Sequence, residues 1–157
     1  MLRILALCHG NICRSPLAEA LLRAAIEADP ALAGRVEVSS AGTSDEHLGE
    51  GMHTESASLL AARGLSTRHR ARQLDLQLAA EQDLILAADR ANLRAASQLV
   101  PHGSATELRL IRDFDPHAVG ADLDDPWGYP SSAYERAARE IEATIPGLLV
   151  ELRRRFA

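Results

Sequence analysis

The chain opens on a short apolar run, "RILAL" (3–7), followed at once by turn-forming residues. A run that short and unbroken reads as a buried strand. From Leu17 the spacing changes. Leu17, Ala20, Leu21, Ala24 and Ala28 recur at helical intervals and mark one face of a helix. Ser15 is a candidate N-cap for it, and Pro16 suits its first position. The alternation then repeats. "RVEVSS" (35–40) reads as a second strand, and a helix is expected over 54–63, closed by Gly64. "DLILAA" (83–88) reads as a third strand, followed by a helix through "RANLRAASQL". "TELRLI" (106–111) reads as a fourth. Tyr134, Ala137, Ala138, Ile141, Ile145, Leu148, Leu149 and Leu152 then keep helical spacing to the end of the chain. Ser132 and Glu135 form a capping-box pattern before them, and Pro146 predicts a kink within them.

Strands alternating with helices predict an α/β fold with a mostly parallel sheet and helices on both faces. Ligands in such sheets bind beyond the carboxyl ends of the strands, where strand order reverses. "CHGNICRS" (8–15) follows the first strand and therefore lies where a site is expected.

Composition narrows the class. A chain of 157 residues with 46% apolar and 25% charged residues suits one globular domain, 1–157. No apolar run approaches the roughly 20 residues that span a bilayer, so no membrane insertion is expected. "MLRILALC" is too short for a signal peptide, which makes a cytoplasmic location the expectation. The formal net charge of -5 argues against general nucleic-acid binding but leaves room for a locally positive anion site. His9, His47, His53, His102 and His117 show no compact ligand spacing. They read as surface or loop residues, with His9 near the site entrance, and no metal or cofactor is expected.

The chain's two cysteines, Cys8 and Cys13, both lie in the first loop, which suggests reactivity or plain packing instead of a disulfide framework. A loop entering a helix N-terminus gathers backbone N–H groups and the positive end of the helix dipole, which together make an anion site. Arg14 adds a planar fork for two oxygens of a phosphate. Cys8 would feel the same field, which favours a thiolate nucleophile. Ser15 could donate a hydrogen bond to its sulfur. Gly10 and Asn11 tolerate the positive φ that such a loop requires.

"CHGNICRSPLAEA" resembles the active-site signature of the low-molecular-weight protein tyrosine phosphatases. "SSAGTS" (39–44), "HRARQL" (69–74), "LAADRANLR" (86–94) and "DDPWG" (124–128) follow in that family's order and spacing. The resemblance implies a central four-stranded parallel sheet, a three-layer sandwich and metal-free hydrolysis of phosphomonoesters. It implies Cys8 as nucleophile, Arg14 as oxyanion holder and Asp125, directly before Pro126, as general acid and base. His9, Gly10, Asn11, Ile12, Cys13 and Ser15 would form the phosphate loop and bind the substrate. Asn11, Ser15, Ser40 and His69 would form a hydrogen-bond network that holds the loop in shape, and Asp89 would orient Arg72 or the loop. Cys13 is either an inward-packed residue or a redox partner that bonds Cys8 on oxidation.

The rim departs from the family pattern. Glu46 stands where an aromatic wall is usual, and Gly128 replaces a second aromatic after Asp-Pro, with Tyr129 one residue late. Trp127 is a pocket wall or a core anchor. The expected substrate is therefore a phosphorylated protein or a smaller phosphomonoester, handled by a monomer. A phosphate-binding regulator without turnover and an arsenate reductase using an external thiol are the alternative readings.

Overall fold

The structure, a computed structural model, describes residues 1–157. Its elements are β1 (Leu2–Cys8), α1 (Arg14–Glu27), β2 (Val36–Gly42), α2 (Thr54–Ala62), α3 (Leu76–Ala80), β3 (Leu84–Ala87), α4 (Arg90–Ser97), β4 (Glu107–Leu110), a 3-10 turn (Ile111–Phe114), α5 (Ser131–Glu142) and α6 (Ile145–Arg155). The four strands form one parallel sheet in the order β2-β1-β3-β4. The chain leaves β1 for β2 on one side and returns to β3 on the other. Strand order therefore reverses at β1, and a crevice opens at its carboxyl end.

Alternation along β1 sorts the two halves of the core. Ile4, Ala6 and Cys8 face Leu17, Leu21, Leu22, Ile141 and Leu148 of α1, α5 and α6. Leu5 and Leu7 face the opposite layer, with Leu74, Ala79 and Ala96. Both faces are covered, which is why the inner strands read as continuous apolar runs. Cys8 ends the row that points toward α1, so its side chain lies on the helix side of the sheet.

The expected strands and the two middle helices form within a few residues of their predicted ends, and Gly64 follows α2 with φ 71. Three local expectations fail. Helix α1 starts at Arg14 with Cys13 as its N-cap and no side-chain cap, so Ser15 and Pro16 lie inside the first turn. Pro16 is tolerated there because first-turn N–H groups have no intrahelical partner. The capping box of Ser132 and Glu135 does not form. Pro130 precedes α5 and no side chain caps it.

The final helical pattern is two helices instead of one kinked helix. Pro146 occupies the first turn of α6, and Thr144 donates to Ile141 O at 2.6 Å as α5 ends. A Cβ on Gly147 would lie 2.1 Å from Phe114 O, so glycine lets α6 approach the 3-10 turn. Neither α3 nor that turn is apparent in the sequence pattern, because each is too short to show a period. Asp75 caps α3, accepting from Leu78 N at 2.7 Å.

Candidate active site

The pairing of β1 with β2 runs to Cys8 opposite Gly42, and the loop then curls over the end of β2. Thr43 N donates to Cys8 O and Ser44 N to His9 O, both at 2.9 Å. A Cβ on Gly42 would stand 2.7 Å from His9 O and 3.0 Å from Asn11 N. Only glycine allows the strand end and the loop backbone to come that close.

Asn11 is the hinge of the loop. It is the sole non-glycine residue with positive φ, at 58, and it is completely buried. Its N–H donates to Cys8 Sγ at 3.3 Å. Its side-chain amide donates to Ser15 Oγ at 2.7 Å and to Ser40 Oγ at 3.0 Å. Its carbonyl oxygens are engaged too: Oδ1 accepts from Arg72 N at 3.0 Å, and the backbone O meets His69 Nε2 at 2.6 Å. Ser40 and His69 thus both meet Asn11, as expected for loop supports. Gly10 does not take a positive φ. Its lack of a side chain instead makes room for His47, whose Cδ2 would lie 2.9 Å from an added Cβ.

Ser15 does not cap α1 because its hydroxyl is turned to the site. It lies 3.0 Å from Cys8 Sγ while accepting from Asn11. Cys8 is 3% exposed, at the base of a cleft of about 80 Å³. The amide N–H groups of His9, Gly10, Ile12 and Cys13 donate to no protein acceptor. Donors without a partner beside a helix N-terminus suit an anion.

Arg14 is 2% exposed and is aimed by two acceptors. Its Nη1 donates to Asp89 Oδ2 at 2.8 Å and to Leu123 O at 2.7 Å. Asp89 uses its other oxygen to cap α4, accepting from Asn92 N at 2.9 Å. Of the two expectations for Asp89, orienting Arg72 or the loop, the Arg72 contact does not form and Asp89 instead meets Arg14 where the loop enters α1. Arg72 instead binds the end of β2, its Nε donating to Ser40 O at 2.9 Å. The other end of the Arg14 guanidinium, Nη2, lies 3.8 Å from Asp125 Oδ2. Asp125 is half exposed, and its Oδ1 accepts from Trp127 N at 3.1 Å. Asp122 and Asp124, the neighbouring carboxylates, pair outward with Arg90 and Arg136.

Cys8, His9, Gly10, Ile12, Cys13, Arg14, Asp125 and Trp127 all line the cleft, joined by Glu46 and His47. Trp127 is 51% exposed, which makes it a wall and not a core anchor. Tyr129 faces a neighbouring groove with Arg136 and Glu140. Glu46 pairs with His9 at 3.6 Å across the rim. Two histidines read as surface or loop residues, His47 and His53, lie in loops that border this site. His47 lines the cleft and bonds Glu50 at 2.9 Å, and the His53 ring lies 5.0 Å from that of Trp127. Lone histidines in a loop gave no periodic signal that could have placed them.

Cys13 also lines the cleft, but its thiol points to Tyr134 OH at 3.7 Å. Burial, with smaller contributions from Cys8 and Asp125, pushes its pKa up from 9.0 to about 11. Both cysteines are free thiols. No group of three or more histidines, cysteines or carboxylates is arranged to hold a metal ion.

Known proteins with similar sequences and folds belong to one family. The family model "Low molecular weight phosphotyrosine protein phosphatase" matches residues 3–157. The low molecular weight protein-tyrosine-phosphatase of Streptomyces coelicolor is 40% identical over 154 residues, 96% of this chain and 93% of that protein. Low molecular weight phosphotyrosine protein phosphatase 1 of Drosophila melanogaster is 34% identical, covering 94% of this chain and 90% of its own. The crystal structure of YfkJ from Bacillus subtilis superposes with a TM-score of 0.88 at 28% identity, covering 99% and 96% of the two chains. With a family model spanning almost every residue and a relative 40% identical over nearly the whole of both chains, this chain belongs to the low molecular weight phosphotyrosine protein phosphatase family.

Proposed function

We propose that the protein hydrolyses phosphotyrosine in protein substrates through a phosphocysteine intermediate on Cys8. The observation that carries this reading is the meeting of Cys8, Arg14 and Asp125 in one cleft. The Cys8 thiolate attacks phosphorus in line as the bond to the tyrosyl oxygen breaks. The loop N–H groups and Arg14 hold the equatorial oxygens, where charge is best stabilised in the transition state. Asp125 gives its proton to the leaving oxygen, then takes one from the water that attacks the phosphocysteine. The S–P bond breaks and the sulfur returns as thiolate, received by the Ser15 hydroxyl and the Asn11 amide. Asp89 and Leu123 O orient Arg14, while Ser40 and His69 hold the loop through Asn11. Trp127 stacks against the substrate ring.

Under oxidation, a peroxide converts the Cys8 thiolate to a sulfenic acid. Cys13 condenses with it, releasing water and forming a disulfide that a thiol reverses. No helix is long and apolar enough to cross a membrane, which fits a phosphatase that meets its substrates in the cytoplasm.

Kinetics on a panel of phosphate esters tests the reading. Cys8→Ser abolishes turnover of aryl phosphate. Asp125→Asn lowers kcat on the order of 10²-fold or more for an ester with a poor leaving group, and less for p-nitrophenyl phosphate. An Asp125→Asn enzyme with full rate on an alkyl phosphate would exclude Asp125 as the acid. Turnover that survives Cys8→Ser would exclude the phosphocysteine.

A further inference from the structure

The ring of Trp127 is half exposed, and its main chain sits in a Pro126–Tyr129 turn and donates to Asp125 Oδ1, contacts that fix the backbone but leave the ring to be held by other groups. Something else must hold a wall of the cleft in place. The candidate is a column of rings that starts in the core. Tyr134 is 1% exposed, in the apolar cluster with Ile12 and Cys13. The His53 ring stacks on it, with centroids 5.5 Å apart and planes 19° apart. Trp127 meets the same imidazole edge-on, at 5.0 Å and 65°. His47 touches Trp127 more loosely, at 5.8 Å and 51°.

Hydrogen bonding does not explain why His53 sits there. Its Nδ1 is buried and has no partner. Its backbone has separate work: His53 N donates to Ile12 O at 2.7 Å, and His53 O accepts from Ala57 N at 3.0 Å. The side chain is therefore free to serve the column while the main chain steadies the loop. Stacked and edge-on ring pairs both fall in the favourable range of aromatic geometry.

We propose that His53 is a positioning residue that holds Trp127 as the aromatic wall of the cleft, and thereby sets affinity for aryl over non-aryl phosphates. This rests on the phosphatase reading for its kinetic arm only. His53 touches no reacting atom, so it acts through Trp127. Inorganic phosphate reaches only the loop and Arg14, so its binding does not depend on the column.

The test uses His53→Ala, His53→Gln and His53→Phe in the full chain. Trp127 is the only tryptophan, so intrinsic fluorescence reports its surroundings directly. In His53→Ala and His53→Gln, KM for p-nitrophenyl phosphate rises about three- to tenfold while kcat stays within about twofold. The inhibition constant of inorganic phosphate is unchanged, and the tryptophan emission moves to the red. His53→Phe restores both KM and emission. Should His53→Ala fail to fold, the Gln and Phe pair carries the comparison. An unchanged KM and emission, or a phosphate constant that rises in step with KM, overturns the proposal. In the latter case His53 merely supports the loop. Absence of turnover in the unaltered protein would sink the phosphatase reading, while the fluorescence arm would still judge the contact between His53 and Trp127.

Discussion

Asn11 concentrates the demands of the site on one residue. It takes a left-handed backbone, which asparagine tolerates better than most side chains, and it satisfies Cys8, Ser15, Ser40, Arg72 and His69 at once. Removing the side chain leaves the part-buried Arg72 N–H without its acceptor and the hydroxyls of the buried Ser15 and Ser40 without their donor. We expect Asn11→Ala to lower stability in urea unfolding by about 2–4 kcal/mol, combining lost hydrogen bonds with a strained φ. Asn11→Gly should recover the backbone part alone and fall between the two. Equal stability of Asn11→Ala and the unaltered protein would mean that the network does not hold the loop. Asn11 could be named from the sequence as a loop residue. Its partners could not, because Ser40, His69 and Arg72 are 29, 58 and 61 positions away.

At the scale of elements, long-range pairs decide how the helices close over the sheet. Asp29 follows α1, and its Oδ1 accepts from Ala31 N at 2.9 Å while Oδ2 accepts from Arg153 Nε of α6 at 2.8 Å. The Arg153 hydrogen bond holds the Asp29 pKa below its ordinary 3.8. A carboxyl with a folded pKa below its unfolded one contributes stability that is fully present above the unfolded value. That contribution is lost as pH falls through the folded value. The stability difference between the unaltered protein and Asp29→Asn should therefore be constant at neutral pH and shrink as pH falls below about 3.8. Urea unfolding across that range measures it. A difference that did not change with pH would show that the pair contributes through shape alone.

The sequence reads "LRRRF" only as cations near a helix end. The structure adds that Arg153 and Arg155 reach Asp29 and Glu107. Element existence was legible where a period repeats over several turns, as in α1, α5 and α6. Caps were not. Ser15 and the Ser132–Glu135 pair have the right chemistry for caps, yet the site claims the first and Pro130 sets the start of α5 before the second.

For the molecule as a whole, charge bears on which substrates approach. The net charge of -5 is joined at the cleft mouth by Glu46, which is exposed and shares only a 3.6 Å contact with His9. A phosphopeptide with acidic flanks meets repulsion there before its phosphate reaches Arg14. At low ionic strength we expect kcat/KM to favour basic-flanked over acidic-flanked phosphotyrosine peptides by several-fold. The preference should shrink with salt and in Glu46→Gln. Equal kcat/KM for the two peptides in the unaltered protein would show that the rim carboxylate plays no part in selection.

Local chemistry encodes the features that one stretch of chain can carry. Strand and helix periods, the reversal site after β1, the thiol and guanidinium six residues apart and the carboxylate before Pro126 are each contained in a short stretch. Features that depend on distant partners arise only on folding. Asp89 faces Arg14 because β3 lies beside β1 in the sheet, and this puts the α4 N-terminus next to the loop. Gly42 matters because β2 ends against the loop backbone. His53 joins Trp127 to Tyr134 because α2 and α5 pack over the same end of α1. Periodicity is a property of neighbours in the chain. The hydrogen bonds and ring contacts that shape this cleft join residues that only folding makes neighbours.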